Sequence, residues 1–205
     1  MADALFLSLW FPNFAEAEMM PRALSVMRQF PFSTQRPGIN YFAAHPVDWS
    51  EATVMERRFR PGLDPEQAAA IAGEFVHDDY ALVFEIYWDL WLAREEPSEE
   101  VRHEDEELIH APSLVRLIVH GAEFEEQAYQ QAGHVQLDLG LDSPFLYEDQ
   151  ELTPPVESRI RANVQKLVAF TSAVEKNCGI SGRVLWSESD ESFAKKLVER
   201  LQRVQ

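Results

Sequence analysis

Alternation of apolar and polar positions is the first pattern along the chain, and it predicts β-strands. The longest such stretch covers residues 80–92, YALVFEIYWDLWL. Every second position from Leu82 to Leu92 is apolar, whereas the positions between them mix two carboxylates with large rings. Aromatic and β-branched residues at period two fit a pleated surface, so a strand is favoured over a helix. Further strands are predicted at residues 4–11, 39–45, 52–59, 113–120, 134–141 and 183–187.

Helices are predicted between these strands, where apolar residues recur at spacings of three and four. Asn13 and Glu16 are spaced as a capping pair for the first helix, in which Pro21 predicts either a kink or a start one turn later. Residues 64–67, DPEQ, are typical of a helix start, with a cap, a proline at N1 and a glutamine at N3. Residues 152–178 form the longest helical pattern, and a short amphipathic helix is predicted near the end of the chain.

The order of these elements indicates an α+β fold. Residues 4–92 follow the order β-α-β-β-α-β, which is that of a ferredoxin-like unit. The strand at residues 80–92 would lie at the edge of such a unit, but long apolar edges promote aggregation, so we expect the sheet to continue beyond it. We predict a larger, mostly antiparallel sheet with helices packed on one face. The predicted single domain, 1–205, comprises the ferredoxin-like βαββαβ unit (1–92), an acidic loop (93–112) and a sheet extension with C-terminal helices (113–205).

The net negative charge of the chain argues against some classes of binding partner. The formal net charge is −17, and residues 95–107 carry eight acidic side chains against one arginine. Binding to nucleic acid or to anionic lipid needs clustered lysine and arginine, so we expect neither a nucleic-acid nor a membrane partner. An acidic surface is compatible with a basic protein partner. The acidic stretch lacks the spacing and the glycine of a calcium loop, and it is expected to be a solvated loop.

The single cysteine and the N-terminal residues point to a cytoplasmic protein. Cys178 cannot form an internal disulfide, and it ends the apolar side of a predicted helix, where a buried thiol is expected rather than a catalytic one. The apolar stretch at residues 4–11 has no basic segment before it and is too short to span a bilayer.

The polar side of the predicted sheet is the main candidate for chemistry. If the strands pair as a meander, three carboxylates and two histidines could share a face and act as an acid–base or metal-dependent hydrolase. The alternative is simple cross-strand charge pairing on a solvated sheet, Glu85 with Arg116 for example. The candidate catalytic residues are Glu85, Asp89, His120, His134 and Asp138.

The sequence favours binding over catalysis. It contains no GxGxxG, Walker A, GxSxG, CxxC or HExxH motif, so we predict no cofactor and no metal centre. The leading hypothesis is a non-enzymatic acidic module that binds a protein, either a basic partner in the manner of an immunity protein or inhibitor, or a second copy of itself. The candidate binding residues are Glu85, Tyr87, Asp89, Trp91 and Arg116. A basic cluster at Arg57, Arg58 and Arg60 could bind an anion, although pairing with the many carboxylates is the expected role.

Overall fold

One seven-stranded antiparallel sheet is the centre of the fold. It is seen in a computed structural model that describes residues 2–94, 108–147, 153–188 and 193–202. The strands are β1 Ala4–Trp10, β2 Ile39–Pro46, β3 Met55–Leu63, β4 Tyr80–Ala93, β5 Leu108–His120, β6 Val135–Leu141 and β7 Gly182–Ser187. The described helices are α1 Glu16–Met27, α2 Pro65–Ala72, α3 Tyr129–Ala132, α4 Ser143–Leu146, α5 Pro154–Asn177 and α6 Phe193–Gln202.

The predicted strands and major helices are confirmed, with shifts at their ends. Strand β5 begins at Leu108 rather than at Ser113, inside the stretch assigned to the acidic loop. Helix α1 begins at Glu16 with Ala15 at its N-cap, so the expected late start at Pro21 is wrong. Helix α2 has the predicted capping box, in which the backbone N–H of Gln67 donates to Asp64 Oδ1 at 2.8 Å. The acidic stretch itself, residues 95–107, lies outside the described residues.

The strands follow the order β3-β2-β4-β5-β6-β1-β7 across the sheet. Strand β4 pairs with β2 on one side and with β5 on the other, which confirms its predicted interior position. Strand β1 pairs with β6 and β7, and it is separated from β4 by β5 and β6. The β-α-β-β-α-β order along the chain is present, but its ferredoxin-like arrangement is not confirmed.

The helices cover one face of the sheet. The apolar positions of β4, from Leu82 to Leu90, are completely buried there. They belong to one apolar cluster with residues of α1, α2 and α5 such as Met19, Ala68 and Phe170. Each fully buried large side chain contributes about 1.5–3 kcal/mol to the free energy of unfolding. No described helix has the length and apolar character needed to cross a bilayer.

Strand β4 extends beyond its neighbour β2, and other parts of the chain form hydrogen bonds with the backbone groups of β4 that β2 does not reach. The β2 pairing ends at Ile86. Beyond that point, Ser33 N–H donates to Tyr87 O at 2.6 Å and Lys166 Nζ donates to Asp89 O. The amide of Asn163 on α5 acts as a peptide unit: its Oδ1 accepts from Trp91 N at 2.9 Å, and its Nδ2 donates to Trp91 O at 2.8 Å. Unpaired buried backbone groups are costly, so these contacts stabilise the long strand.

Candidate functional site

A row of side chains crosses the face of the sheet opposite the large helices. Directly opposed residues of antiparallel strands project to the same side, so the register fixes this row without reference to side-chain rotamers. We call it the central row, and it consists of Tyr41, Glu85, Arg116, Asp138, Phe6 and Trp186, one residue from each of β2, β4, β5, β6, β1 and β7. Arg58 of the edge strand β3 lies beside Tyr41 at one end.

The middle of the central row alternates in charge. Arg116 Nε lies 3.5 Å from Glu85 Oε1, and Arg116 Nη1 lies 3.5 Å from Asp138 Oδ2. The predicted pairing of Glu85 with Arg116 is therefore confirmed. The Arg116 side chain is 48% exposed, so each ion pair contributes only about 0–1 kcal/mol to stability. The arginine remains accessible to a partner.

Aromatic rings lie at both ends of the central row. Phe6 and Trp186 stack with their ring centroids 4.5 Å apart, and Trp186 Nε1 donates to Ser8 Oγ at 3.0 Å. At the other end, the guanidinium of Arg58 lies 5.4 Å from the Tyr41 ring. Burial, followed by the nearby Glu56 carboxylate, raises the pKa of Tyr41. The phenol therefore stays protonated at neutral pH.

Asp89 holds a loop in place. Ser33 Oγ donates to one of its oxygens, and Thr34 donates to the other through its backbone N–H at 2.9 Å and its hydroxyl at 3.1 Å. Burial alone would raise the pKa of Asp89, but these hydrogen bonds outweigh it, so the pKa lies below the usual value for a carboxyl. The carboxylate of Asp89, a predicted binding residue, is thus already hydrogen-bonded to Ser33 and Thr34 of the same chain.

Tyr87 and Trp91 also have partners within the chain. The Arg36 guanidinium lies 4.4 Å from the centroid of the Tyr87 ring. Arg159 of α5 lies 4.7 Å from the Trp91 ring, which packs against a small buried cluster that includes Ile160. Of the predicted binding residues, Glu85, Tyr87 and Arg116 therefore face the open side, while Asp89 and Trp91 support the structure around it.

The two candidate histidines are neighbours, since His120 N–H donates to His134 O at 3.0 Å, and both rings are enclosed by the chain. His120 is buried, and its Nδ1 donates to Gly133 O at 2.9 Å; burial lowers its pKa. The ring of His134 stacks between Phe14 and Tyr129, at centroid distances of 4.2 and 4.8 Å. Its Nδ1 accepts from Phe11 N at 3.0 Å, and burial, followed by the charge of His120, lowers its pKa to about 4.

The five candidate catalytic residues are thus placed in three settings. Glu85 and Asp138 flank Arg116, Asp89 anchors the loop, and the histidines lie beyond the row. No group of three or more His, Cys, Asp or Glu able to hold a metal ion occurs among the described residues. Cys178 is 3% exposed, its Sγ donates to Ser25 O at 3.3 Å, and burial raises its pKa, so the expectation of a buried thiol is confirmed.

A cleft opens at the β3 end of the central row. Its volume is about 240 Å³. Three arginines border it, one from the loop after α1 and two from β3, together with Glu85 and Tyr87 of β4. The arginines are Arg36, Arg58 and Arg60.

The expected pairing of the β3 arginines with carboxylates is wrong. None of Arg57, Arg58 and Arg60 makes an ion pair with another described residue. Arg57 lies 5.5 Å from the Phe59 ring and outside the cleft. Sequence reasoning missed Arg36 because the loop that carries it showed only turn-forming residues, and its approach to Tyr87 is a tertiary contact.

Comparison with known proteins gives no further guide to this site. No protein-family model, curated protein or solved structure matches the chain.

Proposed function

We propose that this chain is a non-enzymatic binding module that docks another protein on the central row, and that a second copy of the chain is its partner. The proposal is carried by the charge alternation of the row, in which Glu85, Arg116 and Asp138 occupy neighbouring strands. The cytoplasmic location predicted from the sequence belongs to the same proposal, since a single cysteine leaves the chain without an internal disulfide.

The centre and the ends of the central row are self-complementary about a two-fold axis. An axis that runs between β5 and β6 places Arg116 of each copy opposite Asp138 of the other, and Tyr41 opposite Trp186, as in isologous dimers. The same axis places Glu85 opposite Phe6, a contact that adds no charge pair. The seven strands span about 29 Å at a spacing of about 4.8 Å. A patch about 29 Å long on each side covers roughly 800 Å², the area that each partner of a stable interface buries.

Charge reversal tests the pairing. Arg116→Glu and Asp138→Arg each place like charges opposite one another, so each single variant is expected to shift the dimer to monomer in sedimentation equilibrium. The double variant restores opposite charges and is expected to recover dimer. Arg28→Glu makes the same charge change on an exposed residue of the helical side and should remain dimeric.

A monomeric wild-type chain across the micromolar range would contradict the self-pairing. The partner would then be a different protein, such as the basic one that the net charge of −17 would attract. Equal loss of dimer in Arg28→Glu and Arg116→Glu would also contradict it, because the effect would then reflect total charge instead of the central row.

A further inference from the structure

We propose a second site, which borders the central row and shares Glu85 with it but does not depend on dimerisation: the cleft between β3, β4 and the loop after α1 binds a doubly charged phosphate group. Three guanidinium groups, those of Arg36, Arg58 and Arg60, border a cavity of about 240 Å³. This volume lies below the range of roughly 300–1,000 Å³ that suits a drug-sized ligand. It suits a single small anionic group.

None of the three arginines forms an ion pair with a carboxylate of the described residues. Acidic side chains outnumber basic ones by 35 to 18, yet none of the three makes an ion pair among the described residues. Arg36 and Arg58 instead lie against the rings of Tyr87 and Tyr41. Stacking on a ring leaves the planar N–H donors of a guanidinium free to bind an oxyanion in the bidentate manner that arginine favours.

The backbone around the cleft is held in place. Ser33 Oγ accepts from the backbone N–H of Gln35 at 3.1 Å and of Arg36 at 3.0 Å, while it donates to Asp89. This turn therefore fixes the start of the Arg36 side chain. A Cβ added at Gly62 would lie 2.2 Å from Pro37 O, so the loop and the end of β3 are in direct contact and require glycine there.

The charge of the lining selects the ligand. Three arginines and Glu85 give a formal charge of about +2, and Glu85 is already paired with Arg116 on its other side. A phosphomonoester carries about −1.5 to −2 at neutral pH, so it balances the lining, whereas a monocarboxylate does not. The Glu56 carboxylate lies beside Tyr41 but outside the lining. More distant acidic residues oppose binding only weakly, because the screening length is about 8 Å at physiological ionic strength.

Calorimetric titration with inorganic phosphate and with O-phosphoserine tests the site at constant ionic strength. We expect saturable binding of both by the full chain. Arg58→Gln and Arg60→Gln should each weaken it roughly tenfold, the effect of losing a charge-assisted hydrogen bond. Arg58→Lys keeps the charge but loses the bidentate geometry, so it should also weaken binding.

Arg57→Gln is the matched control, since it removes the same charge from the adjacent position of β3 but outside the cleft. It is expected to bind as the wild type does. An equal loss in Arg57→Gln and Arg58→Gln, or no saturation up to about 50 mM phosphate, would overturn the proposal.

A phosphoserine peptide that binds more tightly than free phosphate would identify a phosphorylated protein as the source, and equal affinity would identify a free phosphate compound. Because the titration needs no dimer, its failure would leave the docking proposal standing.

Discussion

The structure opposes protonation of His134. Its Nδ1 must be unprotonated to accept from Phe11 N–H, and its pKa of about 4 lies below the usual 6.5. Between these two pH values the unfolded chain binds a proton at this position and the native chain does not. The free energy of unfolding therefore falls as the pH is lowered through this window, and the contribution of His134 is lost by pH 4.

The variant His134→Asn should lose less stability on acidification than the wild type. Asparagine offers an acceptor to Phe11 N–H but cannot titrate, so its free energy of unfolding should fall less between about pH 7.5 and pH 5. Because the ring is half-buried, solvent screening limits the difference to the order of 1 kcal/mol. Urea unfolding at both pH values measures it. If the free energy of unfolding fell equally in both proteins between these pH values, His134 would not be the source of the acid sensitivity.

Single residues were predictable where their partner lies nearby along the sequence or directly across the sheet. Asp64 as a helix cap and Glu85 opposite Arg116 follow from local pattern and strand pairing. Asp89 was predicted as a binding residue because it lies on the side of its strand that mixes carboxylates with large rings. Its partners, Ser33 and Thr34, lie in a distant loop, and only the tertiary fold brings them together.

At the scale of elements, the long strand β4 depends on helix α5 for its last hydrogen bonds. Replacing Asn163 by leucine leaves Trp91 N–H, Trp91 O and Pro144 O without this partner. Each unsatisfied buried group costs about 1–3 kcal/mol, so we expect Asn163→Leu to lower the free energy of unfolding by about 2–4 kcal/mol in urea titrations. Gln165→Leu makes a similar change at an exposed position of α5 and should alter stability by less than about 0.5 kcal/mol. Equal losses of stability in both variants would show that the hydrogen bonds of Asn163 to Trp91 and Pro144 do not stabilise the fold.

The periodicity of the sequence predicted all seven strands and the main helices, because each element buries one side of its own pattern. The start of β5 was missed: Pro112 and the exposed Ile109 and His110 do not alternate with buried residues in the usual way. Residues 108–112 are strand because they pair with residues 89–93 of β4. This pairing overrides their local preference.

At the scale of the molecule, the order of the strands could not be predicted. The sequence indicated correctly that β5 and β6 continue the sheet beyond β4, since consecutive strands usually lie side by side. Strand β1 pairs with β6 and β7, which are more than a hundred residues away along the chain. Periodicity assigns a face to each strand but no neighbour. The predicted meander therefore brought Glu85, Arg116 and Asp138 together, but neither the ends of the central row nor the arginine cleft could be assembled from the sequence.

The charge of the whole chain gives a last prediction for the proposed dimer: salt should strengthen it. For two chains of charge −17 with centres about 40 Å apart, the unscreened repulsion in water is on the order of 30 kcal/mol. Screening reduces this to roughly 8 kcal/mol at 10 mM salt and to well below 1 kcal/mol at 150 mM. The exposed pairs between Arg116 and Asp138 also weaken with salt, but each contributes at most about 1 kcal/mol.

The repulsion therefore dominates, and sedimentation equilibrium should give a lower dissociation constant at about 150 mM sodium chloride than at about 10 mM. Lowering the pH toward the isoelectric point of about 4.7 should act in the same direction, since it removes negative charge. The double variant with charges exchanged at Arg116 and Asp138 has the same net charge, so its dimer should respond to salt as the wild type does. A dimer that weakens as salt is added would contradict this prediction. It would mean that charge pairs across the interface outweigh the repulsion, and the central row alone supplies too few charge pairs for that.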